Sequence, residues 1–142
     1  MKIKFLKKAF NFCIENNHRL TEPRKKVIEI IASSDKPIKA YDILKTLAIS
    51  FNNPKPPTAY RAIEFWRSHN FIHRIESLNA YHICKADHLH KGSQYMICNK
   101  CGEVTEYDMS EIPSIISKNL KKKSFAPISW SLEVNGTCGE CT

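Results

Sequence analysis

Two Cys-x-x-Cys pairs constrain this chain more than any other feature. They are Cys98-Asn99-Lys100-Cys101 and Cys138-Gly139-Glu140-Cys141, and they contain four of the six cysteines. Two residues between thiolates let one turn present both sulfurs to a single ion, so two such pairs can complete the tetrahedral S4 site that suits zinc. The pairs are separated by 36 residues, more than in an ordinary zinc ribbon. We therefore expect a metal that joins separately formed elements and closes a subdomain.

Length and composition predict a water-soluble protein of one ordinary domain or two small ones. The chain has 142 residues, of which 42% are hydrophobic and 25% charged, and no apolar run approaches the ~20 residues of a membrane helix. The first eight residues alternate lysines with apolar residues, and no signal-type apolar core follows them. We expect a cytoplasmic protein with no membrane partner, where paired cysteines more often bind metal than form the alternative disulfides.

The net charge of +8 lies entirely in one part of the chain. Residues 1–79 carry 15 Lys and Arg against 7 Asp and Glu, whereas residues 80–142 carry 7 of each. This asymmetry is typical of a phosphate-binding module attached to a neutral metal-binding module. Excess lysine that only keeps the protein soluble is the alternative, and charge alone does not decide between the two.

The first half is predicted to form four helices followed by a hairpin. Helical spacing begins at Ile3, and Thr21 is a plausible N-cap for a second helix with Pro23 in its first turn. A third helix starts near Ala40. The prolines at 54, 56 and 57 then delay a fourth helix until about Pro57 to His69. Residues 71–76 and 80–84 flank Ser77-Leu78-Asn79 as a short hairpin.

The fourth helix is predicted to carry a nucleic-acid-reading face. At 100° per residue an apolar face forms inside, with a polar face outside and two residues on its flanks. The inner residues are Ala59, Ala62, Ile63 and Trp66, the outer ones Arg61, Glu64 and Ser68, and the flanking ones Thr58 and Tyr60. A series of helices whose last member is followed by a hairpin indicates a winged helix-turn-helix, whose recognition helix enters the major groove. Arg61 suits bidentate contact with guanine, although an ion pair with Glu64 is the alternative.

The second half is predicted to alternate strands with one helix. Residues 94–97 and 103–108 are expected as strands around the first cysteine pair. Ser110 is predicted to cap a helix with apolar positions 112, 115, 116 and 120. A third strand, from Pro127 to Val134, leads to the second pair.

These stretches together resemble the ferric uptake regulator family over nearly the full length. The matching residues are Arg19-Leu20-Thr21-Glu22-Pro23-Arg24, Pro56-Pro57-Thr58-Ala59-Tyr60-Arg61-Ala62-Ile63 and Cys98-Asn99-Lys100-Cys101-Gly102-Glu103-Val104. Ala40-Tyr41-Asp42-Ile43-Leu44 and Asn79-Ala80-Tyr81-His82-Ile83-Cys84 look most like the zinc uptake regulators of that family. The resemblance implies an α+β chain. An N-terminal winged helix-turn-helix DNA-binding domain (1–79) would precede a small α/β zinc-stapled dimerisation domain (80–142).

The resemblance also implies the function and two zinc ions per protomer. Structural zinc falls on Cys98, Cys101, Cys138 and Cys141, and regulatory zinc on His73, Cys84, His90 and Glu106. His88 is the alternative to His90, because residues 84–98 span about one residue fewer than in relatives. Tyr41 and Arg61 occupy base-reading positions, beside Thr58 and Tyr60. The expected protein is a homodimeric, zinc-dependent transcriptional repressor of zinc-uptake genes, bound to a pseudo-palindromic DNA operator.

The chemistry of the predicted regulatory ligands favours zinc. One soft thiolate, two imidazoles and one carboxylate suit tetrahedral zinc, whereas iron(II) or manganese is better served by oxygen and nitrogen ligands alone. On spacing alone, Cys84 could equally be a small core residue that ends a buried strand.

Other function classes fit less well. No Pro-Cys-x-x-Cys with His-x-Glu and no His-Glu-x-x-His is present, and four thiolates leave no open position for water. We therefore expect neither an enzyme nor a small-molecule substrate. The alternatives are an iron-, manganese- or peroxide-responsive repressor of the same family, and an unregulated zinc-stabilised nucleic-acid-binding module.

Overall fold

Helices dominate the first half and strands the second in the computed structural model, which describes residues 2–52, 55–85 and 91–142. The chain divides into two compact units, Met1–Lys85 and Ala86–Thr142. This mixture of a helical N-terminal unit and a small C-terminal sheet unit confirms the predicted α+β class. None of the described helices is both long and apolar enough to cross a bilayer.

The described residues of the first unit form four α-helices and a three-stranded sheet. Its elements are α1 (Lys2–Glu15), α2 (Glu22–Ser33), β1 (Ile38–Lys39), α3 (Ala40–Ser50), α4 (Pro56–Ser68), β2 (Ile72–Ile75) and β3 (Ala80–Ile83). The strands are antiparallel in the order β1-β3-β2. Helices α3 and α4 followed by the β2–β3 hairpin form the predicted winged helix-turn-helix.

Apolar faces of all four helices meet in one core. The buried residues are Ala9, Cys13, Val27, Ile28, Ile30, Ile31, Ala40, Ile43, Leu47, Ala59, Ala62, Ile63, Trp66, Phe71, Ile72 and Tyr81. Thr21 caps α2 as predicted, since its Oγ1 accepts a hydrogen bond from the Arg24 N–H at 3.3 Å. The four inner residues predicted for α4 are all buried.

Helix α4 begins one residue earlier than predicted. Pro56 and Pro57 both lie in its first turn, where the backbone N–H groups have no intrahelical partner and their loss costs little. Thr58, Tyr60 and Arg61 lie within the first two turns, as they also would from the predicted start.

The hairpin extends the first unit beyond the predicted boundary at residues 79 and 80. Strand β3 pairs with β2 over its whole length, from Ala80 opposite Ile75 to Ile83 opposite Ile72. A 3-10 turn, Glu76–Leu78, joins the strands, and Asn79 follows it in the left-handed region at φ 47°. Because these hydrogen bonds hold residues 80–83 to the helical half, the unit ends at Lys85.

Within residues 91–142, the second unit forms a three-stranded sheet with one α-helix. Its elements are β4 (Gly92–Cys98), β5 (Val104–Asp108), α5 (Ser114–Lys122) and β6 (Trp130–Gly136). Strand β4 is central, antiparallel to β5 and parallel to β6. Tyr95, Ile97 and Cys98 are its buried hydrophobic residues among those described, and α5 buries none. The core of this unit is therefore small.

Two predicted starts in this unit are wrong. Helix α5 begins at Ser114 with Pro113 as N-cap, not at Ser110, because a proline biases the preceding residue away from helical geometry. Strand β6 begins at Trp130, not Pro127, because its partner β4 begins at Gly92, directly opposite. A Cβ at position 92 would collide with the indole of Trp130, so this approach requires glycine.

Candidate metal centre and nucleic-acid interface

The parallel pairing of β4 with β6 brings the two cysteine pairs together. Parallel strands end at the same edge, and Cys98 at the end of β4 lies opposite Gly136 at the end of β6. The Asn99 N–H donates to the Gly136 carbonyl at 2.8 Å, just beyond the paired strands. Each Cys-x-x-Cys turn therefore leaves the sheet at the same place.

Local hydrogen bonds shape each turn. The Gly102 N–H donates to the Cys98 carbonyl at 2.9 Å, and Gly102 adopts φ 76°, which glycine reaches without steric cost. In the second turn, the Cys141 N–H donates to the Cys138 carbonyl at 3.0 Å. The Cys138 N–H also points at Cys98 Sγ, 3.3 Å away. A backbone donor from one pair thus supports a sulfur of the other.

The four sulfurs form one cluster. The Sγ atoms of Cys98, Cys101, Cys138 and Cys141 all lie within 4.8 Å of one another, and Cys101 Sγ is 3.8 Å from Cys138 Sγ. A tetrahedron of thiolates at a zinc–sulfur distance of ~2.3 Å has edges of about 3.8 Å. The donor type, number and spacing therefore fit a closed, four-coordinate zinc site. No other group of three or more possible ligands is close enough to hold an ion in the described parts of the chain.

The thiols of this cluster differ in acidity. Hydrogen bonds from the backbone of Cys101 and Cys138 lower the pKa of the Cys98 thiol to about 6, because they stabilise the thiolate. Hydrogen bonds shared with the side chains of Cys138 and Cys101 raise the pKa of Cys141 to about 12. Four thiolates this close repel one another, so a cation is needed before all four lose their protons.

The described residues of the predicted regulatory zinc set belong to different units: His73 and Cys84 to the first, and Glu106 to the second. His73 lies in β2 opposite His82 of β3, with ring centroids 5.7 Å apart. The Cys84 N–H donates to the Phe71 carbonyl at 2.8 Å, which places Cys84 just beyond β3. Residues directly opposite share a face and every second residue returns to it, so His73, His82 and Cys84 share one face of the hairpin.

Of the other predicted ligands, only Glu106 is among the described residues. Glu106 lies in β5, where its Oε1 accepts a hydrogen bond from the Ser93 hydroxyl at 3.1 Å and is 3.5 Å from the Tyr95 hydroxyl. His90 and its alternative His88 lie outside the described residues. The regulatory set therefore stays a prediction.

The predicted DNA-reading residues lie on the two helices of the helix-turn-helix. Tyr41, in the first turn of α3, is 68% exposed, and Tyr60 in α4 is 47% exposed. Arg61 is exposed and Thr58 half-buried. Glu64 pairs with Arg67 at 3.6 Å, so the alternative pairing with Arg61 is not the one observed. Two tyrosines and a guanidinium thus face solvent, where they can contact a duplex.

Sequence reasoning missed the contacts that fix α4 against α2. The Trp66 indole Nε1 donates to the Arg24 carbonyl at 2.7 Å, and the Arg24 guanidinium lies 3.9 Å from the centroid of the Phe65 ring. Arg24 Nη1 also donates to the Arg19 carbonyl at 2.6 Å. The partners are far apart in sequence. The only local indication of these contacts is that Arg24 belongs to the Thr21-Glu22-Pro23-Arg24 stretch that resembles the family.

The model of the ferric uptake regulator family matches residues 15–135. The zinc uptake regulation protein of Escherichia coli (strain K12) is 34% identical over 96% of this chain and 80% of its own length. A solved zinc uptake regulator complexed with zinc and DNA is 33% identical, with a TM-score of 0.88 over 99% of this chain and 95% of that one. The crystal structure of holo XcZur is 32% identical, with a TM-score of 0.80 over 97% and 96%. The resemblance predicted from the sequence is confirmed, and the chain belongs to the ferric uptake regulator family.

Proposed function

We propose that this chain is a zinc-dependent DNA-binding repressor of zinc-uptake genes. The observation that carries the proposal is the combination, in one chain, of a helix-turn-helix with Tyr41, Tyr60 and Arg61 exposed on its helices and a four-thiol cluster. Similarity to zinc uptake regulators along 96% or more of the chain supports the same function. The proposed protein is a regulator and not an enzyme, since a site closed by four thiolates leaves no position for a substrate.

The structural ion is proposed to bind Cys98, Cys101, Cys138 and Cys141. Bound there, zinc would supply folding free energy to a unit whose own core is small. The mutual approach of the four sulfurs within 4.8 Å supports this assignment.

The regulatory ion is proposed to bind His73, Cys84, Glu106 and His90, or His88 in place of His90. The shared hairpin face of His73 and Cys84 supports two of these ligands. Since His73 and Cys84 belong to the first unit and Glu106 to the second, a common ion would connect the DNA-binding unit with the other unit. A coupling free energy of about 1 to 3 kcal/mol is enough to change operator affinity by a factor of between several and more than a hundred.

The active species is proposed to be a homodimer joined through the second unit. This unit exposes many large apolar side chains: Met96, Tyr107, Ile115, Ile116, Phe125, Ile128, Leu132 and Val134. Apolar side chains that form one exposed patch typically mark an interface, and this number of them in a small unit supports the proposal. A two-fold dimer presents two recognition helices to a pseudo-palindromic operator, with half-sites about one helical turn or a multiple of it apart.

Selection of binding sites from random duplex DNA tests the proposal. Wild-type protein with excess zinc should enrich a two-fold symmetric sequence, and binding to it should be lost when zinc is chelated. Iron(II), manganese(II) and hydrogen peroxide serve as parallel conditions. If one of these, and not zinc, controls binding to the selected sequence, the protein is a different sensor of the same family. If no sequence is enriched under any condition, the DNA-binding role is wrong.

A further inference from the structure

A lysine outside the predicted reading set is stacked on one of its tyrosines. Lys45 Nζ lies 5.6 Å from the centroid of the Tyr41 ring. The two residues are four apart in α3, so they lie one above the other on the same face of the helix. The Tyr41 ring is 68% exposed and Lys45 is exposed as well. An ammonium within about 6 Å of a ring is attracted by the electron-rich face, so the cation stays close to the tyrosine.

No carboxylate among the described residues forms an ion pair with Lys45. The ion pairs in the described part of the chain are Arg67–Glu64, Arg67–Glu76 and Arg74–Glu76, all within α4 and the hairpin. Asp42, one turn before Lys45 on α3, forms none of them. A ring attracts a cation without cancelling its charge, so a full positive charge remains on an exposed aromatic surface.

The position of this pair in the helix-turn-helix indicates what the charge can contact. Helix α3 directly precedes and packs against the recognition helix α4. In this motif the helix before the recognition helix crosses the DNA backbone while the recognition helix enters the groove. A lysine on the exposed face of α3 is therefore placed for a phosphate, whereas Arg61 on α4 is placed for a base edge.

We propose that Lys45 contacts a DNA phosphate and that the Tyr41 ring holds its ammonium in position to do so. This inference rests on the proposed DNA-binding function and adds a residue to it. Phosphate contacts fix register and add affinity without reading sequence. The contribution of Lys45 should therefore appear in the salt dependence of binding and not in the preference for one sequence.

The salt dependence of binding by Lys45→Gln provides the test. The probes are the duplex selected by wild-type protein with zinc and a scrambled duplex of the same length. Each lost phosphate contact reduces the steepness of log affinity against log salt by about 0.9. The slope of the variant should therefore be shallower than that of wild type by about 0.9 for each bound protomer. Its affinity for both duplexes should fall by the same factor, and Lys45→Arg should restore the wild-type slope.

Two matched variants separate this role from a general charge effect. Lys123→Gln removes one exposed charge at the end of α5 and should leave the slope unchanged. Arg61→Gln should reduce the preference for the selected duplex over the scrambled one. In a Tyr41→Leu background, Lys45→Gln should cost less affinity than in wild type, because the ring no longer holds the ammonium.

Several outcomes would overturn the inference. A Lys45→Gln slope equal to that of wild type would exclude the phosphate contact, and a loss confined to the selected duplex would make Lys45 a base-reading residue. An equal loss in the Tyr41→Leu background would exclude the role of the ring. If wild-type protein prefers no duplex in the presence of zinc, the proposed function itself fails, which is a different result from any of these.

Discussion

The indole of Trp66 donates a hydrogen bond to the backbone carbonyl of Arg24 at 2.7 Å, and so ties the recognition helix α4 to α2. The Arg24 side chain adds a second tie, with its guanidinium 3.9 Å from the centroid of Phe65 on the same helix. Trp66 is fully buried, so its position is fixed by packing as well as by this bond. The face that α4 presents to solvent depends on both contacts.

Replacement of Trp66 by phenylalanine should destabilise the first unit by about 1 to 3 kcal/mol, because a carbonyl loses its donor and the core loses volume. Amide hydrogen exchange of residues in α2 and α4 measures this effect. Trp130→Phe is the matched control, since it removes the analogous bond from Trp130 to the Met109 carbonyl in the second unit. Equal protection of α4 in Trp66→Phe and wild type would contradict the role of this bond.

Metal removal should destabilise the second unit selectively. The chain has two tryptophans, one in each unit, so Trp66→Phe leaves Trp130 as the fluorescent reporter of the second unit. Trp130→Phe leaves Trp66 to report the first. Zinc present at 1,000 times its dissociation constant adds about 4 kcal/mol of stability by mass action. In a Cys84→Ser background, which removes the proposed regulatory site, chelation should therefore lower the urea midpoint that Trp130 reports, while the Trp66 midpoint stays nearly constant. A shift of equal size in both reporters would contradict a zinc site confined to the second unit.

Acid should weaken the first unit through His69. Burial, then the nearby His18 and Arg24, lower the pKa of His69 below its ordinary 6.5. The unfolded chain therefore takes up a proton at a higher pH than the folded one. The stabilisation is fully present above pH 6.5 and is lost as the pH falls through the lowered value.

Urea unfolding of Trp130→Phe between pH 8 and pH 5, followed by Trp66 fluorescence, measures this loss. The His69 ring packs between Phe12 and Phe65, 5.0 and 4.8 Å from their ring centroids, so His69→Phe keeps an aromatic ring there. Added to Trp130→Phe, it should flatten the pH dependence. An unchanged slope in that variant would assign the acid sensitivity to another group.

Cys84→Ser and Cys101→Ser should separate the two proposed metal sites. The first variant should remain folded and dimeric but lose zinc-dependent operator binding, since only the proposed regulatory set is affected. The second should lose the structural ion and unfold or dissociate, because it breaks the four-sulfur cluster. Sedimentation and gel-shift assays with added zinc distinguish these outcomes. A stable Cys101→Ser dimer, or a wild-type zinc response in Cys84→Ser, would refute the corresponding assignment.

Much of the first unit could be predicted from local patterns. The helical spacing of apolar residues located α1 to α4, and Ser77-Leu78-Asn79 located the turn of the hairpin. The two-residue strand β1 is too short to show alternation, and its pairing with Tyr81 and Ala80 is set by tertiary contacts. The start of α5 was predicted wrongly for a local reason. Ser110 is a residue type that favours the N-cap, but Pro113 keeps the preceding residue out of helical geometry and is itself the N-cap.

The candidate sites were predictable to different degrees. Cysteine spacing was enough to group four thiols, although the register of parallel strands β4 and β6 that joins them is a long-range feature. The tie between Trp66 and Arg24 spans 42 residues and leaves no periodic signal. The stack of Lys45 on Tyr41 depends on side-chain conformations that spacing on a helix permits but does not require.

Stepwise chelation of zinc, with metal content and operator affinity measured on the same samples, tests the central claim most directly. Before chelation, the protein is expected to hold two zinc ions per protomer. A mild chelator should remove one of them and lower operator affinity at least several-fold while the dimer and the second ion remain. Operator affinity that stays constant while the weaker ion is removed would contradict regulation by zinc.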